Sequence, residues 1–73
     1  MRYMMSLSEV ERNFLNKAKE KCNANNVFVF PEMGVSSDDY EKVTRSLEEK
    51  GYVESYGNYV VDSFRITDSG LKA

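Results

Sequence analysis

Histidine is missing from this chain. Its absence removes the commonest general base near neutral pH, and with it the Ser-His-Asp triad and the usual His-bearing zinc sites. Cysteine occurs once, at Cys22, so no disulfide can form within the chain, which fits a reducing compartment. The longest apolar run, Val27-Phe28-Val29-Phe30, is far short of the roughly 20 residues a membrane span requires, and residues 1–5 lack the apolar stretch of a secretory signal. The four glycines, Gly34, Gly51, Gly57 and Gly70, are isolated and build no nucleotide-binding loop; each reads as a turn or a cap. These absences set the expectation of a cytoplasmic protein that is not an enzyme, with no catalytic residues, no metal, no cofactor and no membrane partner.

A positive excess is missing as well. Ten basic residues stand against twelve acidic ones, for a net charge of -2 and a pI near 5.0. Dedicated nucleic-acid binders usually carry the opposite balance. The carboxylates do not suggest an acid-base site either. Asp38-Asp39 and Glu48-Glu49 are adjacent pairs, and neighbours on a helix point about 100° apart, so they cannot converge on one substrate.

What is present suffices for one small folded domain. The chain has 73 residues, 41% hydrophobic and 30% charged, in the ordinary globular range. Residues 1–73 are read as a single domain, with 1–6 as an N-terminal arm. Ser6 with Glu9 and Ser8 with Glu11 are overlapping capping-box spacings, so a helix is expected over residues 8–22. Val10, Phe14, Ala18 and Cys22, four apart, form its apolar stripe with Leu15 beside them, while Arg12, Asn13, Asn16, Lys17, Lys19 and Glu20 face water. Asn23-Ala24-Asn25-Asn26 ends the helix, and the β-branched and aromatic residues 27–30 predict a short buried strand. The single proline, Pro31, and Gly34 leave room for one helical turn at most between them.

A second helix is expected over residues 37–50, capped by Ser36 or Ser37, with Asp38 and Asp39 in its first turn and Lys50 in its last. Tyr40, Val43 and Leu47 form its buried stripe, and Gly51 stops it. Gly57-Asn58 reads as a hairpin turn between strands at 52–56 and 59–66, with a bulge or longer loop where the alternation fails at Val60-Val61-Asp62. Residues 71–73 read as no more than a frayed turn. The expected core is Val10, Phe14, Ala18, Phe28, Tyr40, Val43, Leu47, Val53, Phe64 and Ile66.

The resulting order is α+β: helix, short strand, tight turn, recognition-type helix and β-hairpin wing. With Gly34-Val35-Ser36, Leu47-Glu48-Glu49-Lys50-Gly51-Tyr52-Val53 and Ile66-Thr67-Asp68-Ser69-Gly70 as its carriers, the chain resembles a winged helix-turn-helix domain of the MarR type over residues 7–71. It is more closely similar to the small YjcQ-like winged-helix proteins of bacteria and their phages. In winged helices the second long helix enters the DNA major groove and the wing reaches phosphates or the minor groove. The resemblance therefore implies DNA contacts from Ser37, Lys42 and Arg45 on that helix and from Tyr56, Asn58 and Tyr59 at the wing, with a homodimer doubling the footprint. Arg12, Lys17, Lys19 and Lys21 add basic charge on the first helix.

Two features depart from the family pattern. Residues 37–50 hold Lys42, Arg45 and Lys50 against Asp38, Asp39, Glu41, Glu48 and Glu49, a local balance of -2, with the acids leading. The supporting helix is compressed into residues 31–34. These departures motivate a second reading, in which the module binds a basic protein surface as an adaptor or inhibitor. Asp38, Asp39 and Glu41 then supply the charge, and Tyr56 and Tyr59 the apolar anchors. The bland alternative for those tyrosines is a cross-strand pair that only stabilises the hairpin.

Overall fold

The computed structural model describes residues 7–56 and 63–73. Along them run helix α1 (Glu9–Lys21), strand β1 (Val27–Val29), a single 3-10 turn (Phe30–Glu32), helix α2 (Ser37–Glu49), strands β2 (Val53–Ser55) and β3 (Ser63–Ile66), and a short helix α3 (Asp68–Lys72). The strands form one antiparallel sheet in the order β1-β3-β2. This is the α+β, small winged-helix architecture that the sequence predicts. None of these helices is long and apolar enough to cross a membrane.

The start of α1 is a complete capping box. Ser8 Oγ accepts the Glu11 N–H, and Glu11 Oε1 accepts the Ser8 N–H at 2.8 Å. The buried stripe differs from the expected one, because Val10 is 65% exposed whereas Glu11, Phe14, Leu15 and Ala18 are buried. The cause is the helix period. At 3.6 residues per turn, each step of four advances the direction by about 40°, so a strict four-residue series spirals off the core. Phe14 and Ala18 sit centrally, Val10 falls off one side, and Cys22 is only half-buried against the core.

After α1, the Asn23 side chain accepts the N–H groups of Asn25 and Val27, and Asn26 takes a left-handed φ of 65°, which turns the chain into β1. Phe28 lies opposite Phe64 on β3, with ring centroids 6.1 Å apart and planes at 20°. Tyr40 on α2 meets this pair and also Phe14 and Phe30, at centroid distances from 5.1 to 6.4 Å, making one aromatic cluster. Phe64, expected in the core, is partly buried against it. Met33, just after the 3-10 turn, is fully buried and plugs the space beneath.

Ser36, not Ser37, caps α2, accepting the Asp39 N–H at 3.2 Å. Its end is a Schellman motif: Gly51 at φ 80° donates to Glu48 O, and Tyr52 donates to Leu47 O. The hairpin register sets Val53 against Ile66, both buried, and Ser55 against Phe64. Tyr56 N–H then donates to Ser63 O at 3.1 Å, so Ser63 is opposite Tyr56, where a two-residue turn at Gly57-Asn58 would have set Tyr59. That shorter turn would place Asp62, not Ile66, opposite Val53, and a carboxylate there would lose its hydration in the core. The Gly57-Asn58 turn itself, Tyr59 and the irregularity expected at Val60-Val61-Asp62 lie outside the described residues.

The C-terminal segment is more than a frayed turn. Thr67 Oγ1 accepts the Gly70 N–H and opens α3. Gly70 is buried so closely that a Cβ there would stand 2.1 Å from the Tyr52 carbonyl oxygen. Only glycine lets the backbone of α3 approach the β2 entrance in this way.

Candidate functional site

The exposed side of α2 follows from its buried one. Tyr40, Val43, Thr44 and Leu47 face the core, so helical geometry turns Asp38, Lys42, Arg45 and Glu49 outward with Glu41 beside them. Glu41, Lys42, Arg45, Ser46 and Glu49 line a shallow depression of about 370 Å³ on this side. Of the residues the sequence nominates, Lys42, Arg45, Asp38 and Glu41 are thus brought to one face. Ser37 is exposed in the first turn. Asp39 is not on this face, because it turns toward α1. Tyr56 is 46% exposed at the end of β2, while Asn58 and Tyr59 lie outside the described residues.

The charges on the face are largely committed to one another. Arg45 pairs with Glu41 one turn earlier at 3.3 Å, with both side chains about 70% exposed, a contact worth only a few tenths of a kcal/mol. Lys50, the third base of the helix region, points into the interface with α1. Its ammonium donates to Glu11 Oε1 at 2.7 Å and Oε2 at 2.8 Å. The Ser46 hydroxyl donates to the same carboxylate. Burial alone would raise the Glu11 pKa. The hydrogen bonds from Lys50, Ser46 and the Ser8 N–H, together with the Lys50 charge, outweigh that effect and lower it from an ordinary 4.5 to about 2. Lys50 is therefore part of the α1–α2 joint and cannot also serve as a phosphate anchor without breaking it. Lys42 is the one base on the face with no ion pair among the described residues.

Among the described residues, the bases of α1 and β3 do not gather on one face. On α1, Lys17 and Lys21 lie along one flank and Arg12 and Lys19 along the other, and Lys19 donates to Ala73 O at 3.0 Å. Arg65 pairs with Glu54 on the sheet face away from the helices. Among the described residues no group of His, Cys, Asp and Glu side chains is arranged to hold a metal.

A second concavity, of about 380 Å³, was not legible as a site. It runs between α1 and the start of α2, with Val10, Phe14, Met33, Val35 and Val43 as apolar lining and Asn13, Lys17 and Asp39 at its polar margin. The signals that could have found it are the off-stripe position of Val10 and the shortness of the segment at Pro31. The segment ahead of α2 is a three-residue 3-10 turn, where a helix-turn-helix carries a full first helix. The chain matches no protein-family model, no curated protein and no solved structure.

Proposed function

We propose that this chain is a non-enzymatic winged-helix module that binds a basic protein surface through the exposed face of α2, in a bacterial or phage cytoplasm, and that it is related to the YjcQ-like winged helices it resembles. The observation that carries this reading is the charge on that face. Asp38, Glu41 and Glu49 stand against Lys42 and Arg45, Arg45 is engaged by Glu41, and Lys50 is withdrawn into the α1–α2 joint. A duplex presents a phosphate charge about every 1.7 Å along its axis, and proteins that neutralise roughly 6 to 10 phosphates do so with lysines and arginines. Such a surface repels this face, whereas a lysine- and arginine-rich protein is attracted by it. Tyr56, exposed beside the wing, supplies an aromatic anchor at its edge.

Binding should therefore depend on the outward carboxylates. Reversing Asp38 and Glu41 to lysine should abolish capture of the protein partner from the native host while leaving the circular dichroism spectrum unchanged, since both side chains are exposed. A partner held equally well by wild type and this variant would overturn the reading.

The fold itself, with Lys42 and Arg45 adjacent in the depression on α2, supports a second reading as a DNA-binding or transcription-regulator-like module. It adds Ser37, Tyr56, Asn58 and Tyr59 as contacts. In that case Arg45→Ala should weaken duplex binding by about 1–3 kcal/mol, and affinity should fall steeply with salt. No binding to mixed-sequence duplex at tens of micromolar protein in low salt would exclude it.

A further inference from the structure

Val10 is the most exposed large apolar side chain described, and it stands on the α1 wall of the groove between α1 and α2, with Val35 and Val43 as the other apolar walls over Phe14 and Met33. The two helices run in opposite directions: Glu11, near the start of α1, meets Ser46 and Lys50 at the end of α2, while the Lys17 ammonium lies 3.2 Å from where a Cβ on Gly34 would stand, just ahead of α2. Lys17 and Asp39 therefore stand level on opposite walls, at the end of the groove beside Gly34. They are oppositely charged, and neither side chain makes an ion pair within the described residues. From Lys17 back to Val10 the α1 wall runs for roughly 10 Å, about two helical turns.

These dimensions and charges specify an occupant. A helix laid along an apolar trough between two helices buries one i, i+3, i+4, i+7 stripe against both walls, whereas an extended segment would turn every second side chain back to water. The positions that flank such a stripe lie on its two sides, as the charged positions of a coiled coil do. One flank here meets Lys17 and the other meets Asp39, so charge complementarity requires an acid on the first and a base on the second. We propose that the groove receives an amphipathic helix of a partner protein, seated over about two turns, with an apolar stripe on Val10, Val35 and Val43, a carboxylate against Lys17 and a basic side chain against Asp39. It is separate from the outward face of α2, where complementarity calls for bases alone. The patch is small, so the association belongs to the weak class of interfaces, below about 1,200 Å².

The probe is a synthetic peptide of about 14 residues held helical by a side-chain staple, with leucines as its stripe, glutamates along one flank and lysines along the other. Titrated to about 1 mM into the isotope-labelled full chain, it should shift the amide resonances of Val10, Asn13, Val35 and Val43 saturably, and a peptide of the same composition in scrambled order should not. Val10→Asp should abolish the shifts with an unchanged far-ultraviolet spectrum, because the side chain is solvated in the free protein. Lys17→Glu and Asp39→Lys should each weaken binding about tenfold, since each sets one peptide flank against a like charge. The double variant should bind as wild type does, because the peptide turned end for end presents its flanks to the exchanged charges. No saturable shift, equal binding of the scrambled peptide, indifference to Val10→Asp, or a double variant as weak as the single ones would each overturn the proposal. Peptide affinity that falls as protein concentration rises would assign the groove to a second copy, and affinity that rises on deletion of residues 1–5 would assign it to the chain's own N-terminal arm; either result overturns it too. None of these variants alters Asp38 or Glu41, so failure here is distinguishable from failure of the α2-face reading.

Discussion

Acid should destabilise this protein through Glu11. Glu11 is 7% exposed and its pKa is lowered from 4.5 to about 2, a difference that corresponds to about 3 kcal/mol of folding free energy. Because the folded pKa lies below the unfolded one, the stabilisation is complete above about pH 4.5 and is lost as pH falls toward about 2. For a domain of this length total stability is of the order of 4–11 kcal/mol, so the loss is a large share of it. Urea denaturation from pH 7 to pH 2 should show wild type losing about 3 kcal/mol more than Glu11→Gln over that interval.

At pH 7 the Glu11→Gln protein should itself be less stable, because the substitution removes the counter-charge of a half-buried Lys50 ammonium. The two proteins should converge near pH 2. Replacing both partners, Glu11→Leu with Lys50→Met, should cost much less than Glu11→Gln alone, since no charge is then left in the interface. Parallel pH profiles for wild type and Glu11→Gln would refute the assignment of the acid transition to this residue.

The other structural predictions are read in the same denaturation assay at pH 7. Gly70→Ala should cost about 3 kcal/mol or more, because the new Cβ meets a backbone carbonyl that cannot rotate away; a loss below about 1 kcal/mol would contradict the close approach of α3. Ser36→Ala should cost about 1 kcal/mol and Ser37→Ala less than about 0.5, and the reverse order would move the cap of α2. Leu47→Ala should cost about 2–5 kcal/mol, enough to threaten folding, whereas a small effect would place Leu47 outside the core.

Local grammar made most of the fold legible. Ser8 with Glu11, Ser36 with Asp39, and Gly51 each act within a few residues, so cap and stop could be read where they stand. What stayed hidden depends on contacts far apart in sequence. Glu11 was readable as a capping residue, but its burial depends on Lys50, 39 positions away. Its place three, four and seven residues before Phe14, Leu15 and Ala18 is the helical signal that the four-residue series through Val10 obscured. Gly70 reads as a turn or a cap, yet it lies inside α3, where the Tyr52 carbonyl leaves no room for a larger residue. For the site, the charges on α2 were countable but their commitments were not: the sequence does not show that Arg45 turns to Glu41 or that Lys50 turns inward.

These commitments explain how α2 is held without a full supporting helix. A three-residue 3-10 turn cannot brace a thirteen-residue helix along its length, so each end needs its own attachment to α1 and the sheet. At the N-terminal end Tyr40 is held among Phe14, Phe28, Phe30 and Phe64. At the C-terminal end Glu11 gathers Ser46 and Lys50, a polar clasp that a purely apolar contact could not replace with the same fixed direction, because hydrogen bonds are directional and hydrophobic burial is not. Between the two attachments the wall of α2 facing α1 is left open as the groove. The short 3-10 turn is thus accompanied by a base withdrawn from the exposed face of α2 and by an apolar groove beside it.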